Sequence, residues 1–281
     1  YEKFLDVTYL FEEAEEIFQY ECEKSGFRFF YPNSIAGDSN FYEKLQEYDW
    51  YYMPWKWENE YCLNYINDDN HILDVGCGQG SFLKRVGSKN SSLHCIGLEL
   101  NETTIYNTDN IEILNQTIED YSALNENSFD VVCSFQVLEH IPKVYSFLEA
   151  KVRALKNGGY LIIAVPNNDS DFLKCQKNAY LNMPPHHMGH WHEKSLTHIA
   201  SLFNLELVEI AKEPLQKQHY LPYWHDNLRM KYGSLVAKIG MKFVKVFSLT
   251  NYLENKMSTK ANKITGHTIL AVYQKIETKL L

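Results

Sequence analysis

Between residues 71 and 165, short apolar runs alternate with stretches whose apolar residues recur every three or four positions. Ile72-Leu73-Asp74-Val75 reads as a buried strand running into Gly76, and Ser81 to Val86 as the helix after it. Leu93 to Leu98, Ile111 to Leu114 and Phe129 to Phe135 give three more strands. Val144 to Leu155 is an amphipathic helix and Tyr160 to Val165 a fifth strand, with Asn157-Gly158-Gly159 as the stop between them. Apolar strands separated by helices predict a mostly parallel α/β sheet covered on both faces.

The flanks are less regular. Residues 1–66 are acidic and aromatic, without a clear sheet period. Phe11 to Tyr20 reads as a helix, and Phe27 to Tyr31 as a short strand ending at Pro32. Asn40 to Ile66 carries Phe41, Leu45, Tyr48, Tyr52, Trp55 and Trp57, the pattern of helices packed on a larger body, with capping residues at Asp38-Ser39-Asn40. After Pro166 comes a polar loop, Asn167 to His192, holding Pro184-Pro185 and four of the eleven histidines. A helix over Ser195 to Phe203 and strands over Leu205 to Ile210 and Thr268 to Tyr273 follow.

Between those two strands lies an insertion, about 216–264. Its segment Leu235 to Phe247 puts Leu235, Val236, Ile239, Phe243 and Val246 on one face, with Lys238, Lys242 and Lys245 elsewhere. A basic amphipathic helix can lie on a membrane surface. A lid over the sheet's ligand edge is the simpler expectation. The predicted division is a cap segment at 1–66 and a main domain at 67–281 that carries the lid.

Composition narrows the class. At 45% hydrophobic and 22% charged, the chain has the make-up of an ordinary globular domain rather than a disordered one. No apolar run approaches the ~20 residues of a membrane-spanning helix, and no leader pattern opens the chain. The net charge of −9 argues against nucleic acid as a partner. Six cysteines without a CxxC pair suit a reduced, cytoplasmic setting, and nothing in the chain indicates an oligomeric state.

The densest chemistry is Leu73-Asp74-Val75-Gly76-Cys77-Gly78-Gln79-Gly80-Ser81-Phe82, at a strand-to-helix turn. Glycines let the backbone turn sharply and let a ligand approach. Glu99 ends the second strand, where an acid can accept hydrogen bonds from both hydroxyls of a ribose. A nicotinamide site wants GxGxxG, whereas the spacing here is GxGxG.

This loop resembles motif I of the class I S-adenosylmethionine-dependent methyltransferases. The resemblance continues through Asn115 to Tyr121, through Phe129 to His140 with its Leu138-Glu139-His140 ending, and through Leu155-Lys156-Asn157-Gly158-Gly159. It extends to Pro184-Pro185-His186-His187 and Trp191, the pattern of the branch that methylates small metabolites, quinones and sugars. The resemblance implies a Rossmann-like, seven-stranded sheet, S-adenosylmethionine as cofactor and S-adenosylhomocysteine as product. By it, Asp74, Gly76, Cys77, Gly78 and Gly80 line the methionine and ribose end. Glu99 takes the ribose, Leu100 lies beside the adenine, Ile118 and Glu119 meet the adenine edge, and Phe135 and Gln136 line the sulfonium side. Many relatives also carry a CxxCG zinc-ribbon pair upstream. Here Ser25 stands where the second thiol after Cys22 would be, so no metal is expected.

Methyl transfer to a hydroxyl benefits from a general base, and histidine is the commonest near neutral pH. His140 after the fourth strand and His186, His187 and His190 after the fifth could each serve, and His140, His187 and His190 are the leading candidates. The loop pattern HHxxHxH lacks helical i, i+4 pairing and an evident carboxylate partner, so a metal is again not expected there. The leading expectation is an O-methyltransferase of a sugar, nucleotide-sugar or quinone-like metabolite. The alternatives are methylation of a small-molecule amine, and a non-catalytic cofactor-binding module.

Overall fold

The computed structural model describes residues 5–48, 51, 53–101, 104–176 and 179–277; Tyr52 therefore lies outside the described residues. The chain opens with strands β1 (Phe18–Glu21) and β2 (Arg28–Tyr31) and helices α1 (Ser39–Gln46) and α2 (Trp57–Cys62). The central run is β3 (His71–Val75), α3 (Ser81–Lys89), β4 (His94–Leu98), β5 (Tyr106–Asn107), β6 (Ile111–Leu114), α4 (Ile118–Leu124), β7 (Phe129–Phe135), α5 (Val144–Ala154) and β8 (Leu155–Pro166). Then come α6 (Asp171–Cys175), β9 (Gly189–His190), α7 (Glu193–Ile199), β10 (Leu205–Pro214), α8 (Tyr220–Tyr232), α9 (Ser234–Val246), α10 (Thr250–Ser258) and β11 (Thr265–Lys275).

Eight strands form the main sheet in the order β10-β11-β8-β7-β3-β4-β6-β5. The five from β8 to β6 are parallel, whereas β11, β10 and β5 join antiparallel at the two sides. The expected count was seven; the eighth is the two-residue β5, too short to leave a strand pattern in the sequence. Successive side chains of one strand go to opposite faces. Leu161, Ile163 and Val165 pack under α5 and α7 with Phe147, Leu148 and Leu196, while Ile162 and Ala164 pack toward Phe82 and Leu83 of α3. Both faces are covered, which is why these strands read as continuous apolar runs rather than alternating ones.

The order reverses between β3 and β7, so their carboxyl ends flank the crevice where ligands of open α/β sheets bind.

Four local expectations need correction. Phe11 to Tyr20 is not a helix: Thr8–Phe11 is one 3₁₀ turn, and Phe18 onward pairs with β2. Four acids between Glu12 and Glu16 repel one another at helical spacing, and the strand has a partner to pair with. The Asn157-Gly158-Gly159 stop lies inside β8, because α5 already ends at Ala154 and Leu155 pairs with Phe129. The Asn167–His192 segment is not wholly loop; α6 forms in it, capped by Ser170, and β9 closes a three-stranded ribbon β1-β2-β9. The helix read over Ser195 to Phe203 is α7, two residues earlier at its start and ending at Ile199. By contrast Asp38 caps α1 as expected, its Oδ1 accepting the Phe41 amide at 2.8 Å.

Candidate active site

The turn after β3 is built by local geometry. Gly76, Gly78 and Gly80 sit at φ of +75°, +54° and +69°, a region where an L side chain is strained. The amides of Gly76 and Cys77 both donate to the carbonyl of Leu98, which ties the turn to the end of β4. Glu99 follows there, and its carboxylate gathers three amides: Gly78 at 2.8 Å on Oε2, and Leu100 at 2.9 Å and Asn101 at 3.2 Å on Oε1. Thr117 caps α4 by accepting the Asp120 amide, and this places Ile118 and Glu119 in the first turn of the helix.

A cavity of about 980 Å³ opens along these strand ends, at the upper end of the ~300–1,000 Å³ typical of small-molecule sites. Gly76, Glu99, Leu100, Ile118, Glu119, Phe135, Gln136, His140 and His187 line it. Asp74, Cys77, Gly78, Gly80 and His190 do not. Cys77 packs into the core beside β4, and burial raises its thiol far above the ordinary range. Asp74 is buried beneath the turn; burial pushes its carboxyl up to about 7, against the pull of the Lys151 ammonium. Lys151 is itself buried and lowered by that burial to about 7, its Nζ donating to Ser134 Oγ. The amphipathic pattern of α5 gave no sign that one of its inward positions is a lysine.

The other part of the cavity carries imidazoles and carboxyls. His140 Nδ1 donates to the His186 carbonyl, so the remaining nitrogen is Nε2, 3.8 Å from Glu139 Oε1. His186 Nδ1 is 2.8 Å from the Leu181 carbonyl and His187 Nδ1 is 3.0 Å from Asn182 Oδ1, so the same tautomer holds in all three. Burial lowers His140 to about 3 and His186 to about 4, and it holds His187 well below its ordinary value, so all three are neutral at pH 7.

Among the described residues, each of these three offers a ring nitrogen within 4.8 Å of the others, a spacing a metal ion could draw together. Neutral imidazoles suit such a role. The third member comes from the turn after β7, outside the loop where the sequence suggested looking. His186 Nε2 also lies 3.1 Å from the Tyr51 hydroxyl.

The remaining loop histidines are held in the ribbon. His190 has Gln19 Nε2 at 3.1 Å on one nitrogen and the Asn182 carbonyl at 2.8 Å on the other. His192 caps α7 and bonds the Gly26 carbonyl.

Three buried carboxyls complete the lining: Glu58, Glu139 and Glu213. Glu139 is pushed up to about 8 and Glu213 to about 7, burial being the main cause of both, and Glu139 Oε2 makes no hydrogen bond among the described residues. Gln136 connects two of these groups, donating to Glu58 Oε1 at 3.1 Å while Thr268, at 3.3 Å from the same nitrogen, donates its amide to Glu213. Its backbone is left-handed, φ +58°, the kind of strain that functional sites concentrate. Glu58 and Glu213 were missed in the sequence. One lies among the N-terminal aromatics and the other near the end of β10, with no motif around either.

A family model described as a methyltransferase domain matches residues 55–210. The ubiquinone biosynthesis O-methyltransferase of Hydrogenovibrio crunogenus is 26% identical over 182 residues, 59% of this chain and 74% of that protein. Its counterpart in Rickettsia bellii is 32% identical over 135 residues, 42% of this chain and 52% of that protein. Among solved structures, a SAM-dependent methyltransferase from Archaeoglobus fulgidus has a TM-score of 0.53 at 18% identity, covering 77% of this chain and 90% of that one, a likeness of fold. Because the matched span takes in every strand from β3 to β9 and reaches into β10, the chain belongs to the class I methyltransferase family, enzymes that draw the methyl group from S-adenosylmethionine.

Proposed function

We propose that the protein methylates a hydroxyl of a small molecule, with His140 as general base. The bound cofactor supplies an electrophilic methyl group on a sulfonium. Glu99 suits the ribose of that cofactor: its two oxygens offer about four acceptor sites, and the three loop amides leave capacity for a hydroxyl. Leu100, Ile118 and Glu119 then face the adenine, and Phe135 and Gln136 the sulfonium side. Asp74, Cys77, Gly78 and Gly80 act from beneath by shaping the turn.

The single observation that carries the base assignment is the pairing of His140 and Glu139 in the same cavity as the glycine turn. Nδ1 of His140 is committed to a carbonyl, so a proton can arrive only on Nε2, beside the Glu139 carboxyl. His187, with Nδ1 likewise committed, is the second candidate. His190 is not retained as a base, since both its nitrogens have protein partners.

Tyr42, Tyr51 and Trp57 from residues 1–66, and Gln216, Gln218 and His219 from the start of the 216–264 insertion, also line the cavity. This supports an acceptor pocket walled by the cap segment and the insertion. The names of the curated relatives support an aromatic, quinone-like hydroxyl among the acceptor classes. The second reading, an amine acceptor, is favoured by the three carboxyls on the lining, which offer acceptor oxygens to an N–H group.

Calorimetric titration with S-adenosylmethionine, followed by a screen of catechols, sugars and amines with labelled cofactor, tests both readings. Methyl ethers as products support the hydroxyl reading, and methylamines alone replace it with the second. Failure of the folded protein to bind the cofactor would overturn both.

A further inference from the structure

The insertion between β10 and β11 has a charge opposite to that of the rest of the molecule. Residues 217–263 hold nine basic residues against Asp226 and Glu254, a net +7 in a chain of net −9. Both acids are already paired, Glu254 with Lys217 at 3.6 Å and Asp226 with Arg229 at 3.5 Å. Lys238, Lys242 and Lys245 on α9 are exposed and form no ion pair with a described residue.

Helix α9 is apolar on two sides. Its inner side, Ala237 and Val244, is buried, and Gly240 lets the helix approach α8, where a Cβ would come within 2.9 Å of Leu228 and 3.2 Å of Trp224. Its outer side is a second apolar stripe. Leu235 is 71% exposed, Ile239 60%, Phe243 53% and Val246 66%, and Phe247 continues the row with its ring 4.3 Å from that of Phe243.

At 100° per residue Leu235, Val246, Ile239 and Phe243 fall within about one quadrant of the helix, and the three lysines lie in the adjacent one. Packing on α8 accounts for the inner face and leaves the outer face unexplained. Apolar residues beside a row of lysines is the composition of a helix lying in a bilayer interface.

We propose that α9 docks the protein on an anionic lipid bilayer, with Leu235, Ile239, Phe243, Val246 and Phe247 in the acyl boundary and Lys238, Lys242 and Lys245 at the headgroups. The charge balance commits the surface to lipid rather than to a second copy, because two insertions of +7 would repel each other face to face. Gln216, Gln218 and His219 line the cavity at the root of the same insertion, so docking brings the acceptor pocket and the bilayer into one region.

Flotation of the full chain with phosphatidylcholine vesicles, with and without phosphatidylglycerol, tests this. The protein is expected to float only with the anionic vesicles, and less so as salt is raised. Replacing all three lysines (Lys238→Gln, Lys242→Gln, Lys245→Gln) is expected to weaken partitioning about a hundredfold, at about fivefold per lysine. Ile239→Ser with Phe243→Ser is expected to weaken it at least ~10-fold.

Melting temperature and cofactor titration, read on every variant, separate lost docking from lost fold. They also keep the docking result distinct from a failure of the methyltransferase reading. Three results would overturn the proposal: no flotation of the folded parent with anionic vesicles, equal flotation with uncharged ones, or variants that float as well as the parent. A parent that is dimeric and does not float, and that Phe243→Ser makes monomeric, would overturn it in favour of a second copy.

Discussion

The glycine-turn part of the cavity and its histidine–carboxyl part are built by the chain in different ways. The first comes from one continuous stretch, Asp74 to Glu119, where a strand end, a left-handed turn and the next strand end are joined by the chain itself. The second gathers Glu58, Glu139, His140, His186, His187 and Glu213 from four separate places along the chain. The first works with backbone amides gathered on one acidic side chain, Glu99. The second works with buried groups that burial has pushed toward neutrality. Local order builds one part of the cavity, and long-range packing sets the electrostatics of the other.

The largest expected effect falls on the second part. His140→Ala is expected to lower turnover by about 10²–10⁴-fold while leaving cofactor affinity unchanged, as initial rates at saturating cofactor and calorimetry would read. A matching loss of cofactor binding would erase the distinction between the two parts.

The pH profile sharpens it. Glu139 is raised to about 8 by burial, so below that pH it keeps its proton and gives no charge to a proton arriving on His140. Above it, the carboxylate stabilises that proton. Thus kcat/KM should rise with pH, about tenfold per unit at the steepest, and level off above about 8. Glu139→Gln should flatten the profile. A flat profile in the parent would remove Glu139 from the reaction.

On the other side, Glu99→Ala should weaken cofactor binding by about 10–100-fold, the range for a hydrogen bond to a charged group, with turnover at saturating cofactor nearly intact. Gly80→Ala probes the turn itself. Its Cβ would collide with Ile113 Cδ1 at a φ of +69°, so the melting temperature should fall by about 3–10 °C. The smallest effect belongs to His190→Gln, since both of its nitrogens serve the ribbon. Less than ~3-fold loss of turnover is expected in the same rate assay, and a loss near that of His140→Ala would return His190 to the reaction.

The main sheet was legible because its signal is periodic and local. Tyr160 to Val165 is apolar without interruption and Ile72 to Val75 is broken only by the buried Asp74, as befits strands covered on both faces. The short β5 and the hairpin strand Phe18–Glu21 were not legible. One is two residues long, and the other is exposed along its whole length, so neither carries a burial pattern. Likewise Lys151 looked like any helix lysine, and only packing revealed that α5 turns it inward beneath the glycine turn. Nothing in the sequence separated His187 from His190 as a base, but β9 pairing directs His190 into the ribbon, while His186 and His187 meet His140 in the cavity.

By itself the sequence determined the parallel sheet, the glycine turn with Glu99 at the next strand end, and the family these imply. These depend on residues near one another in the chain, where spacing translates directly into geometry. The tertiary structure decided which histidines share a cavity with Glu139, which carboxyls lose water and keep their protons, and which side of α9 remains bare. Desolvation and proximity between distant segments are properties of the packed molecule, and no run of residues encodes them on its own.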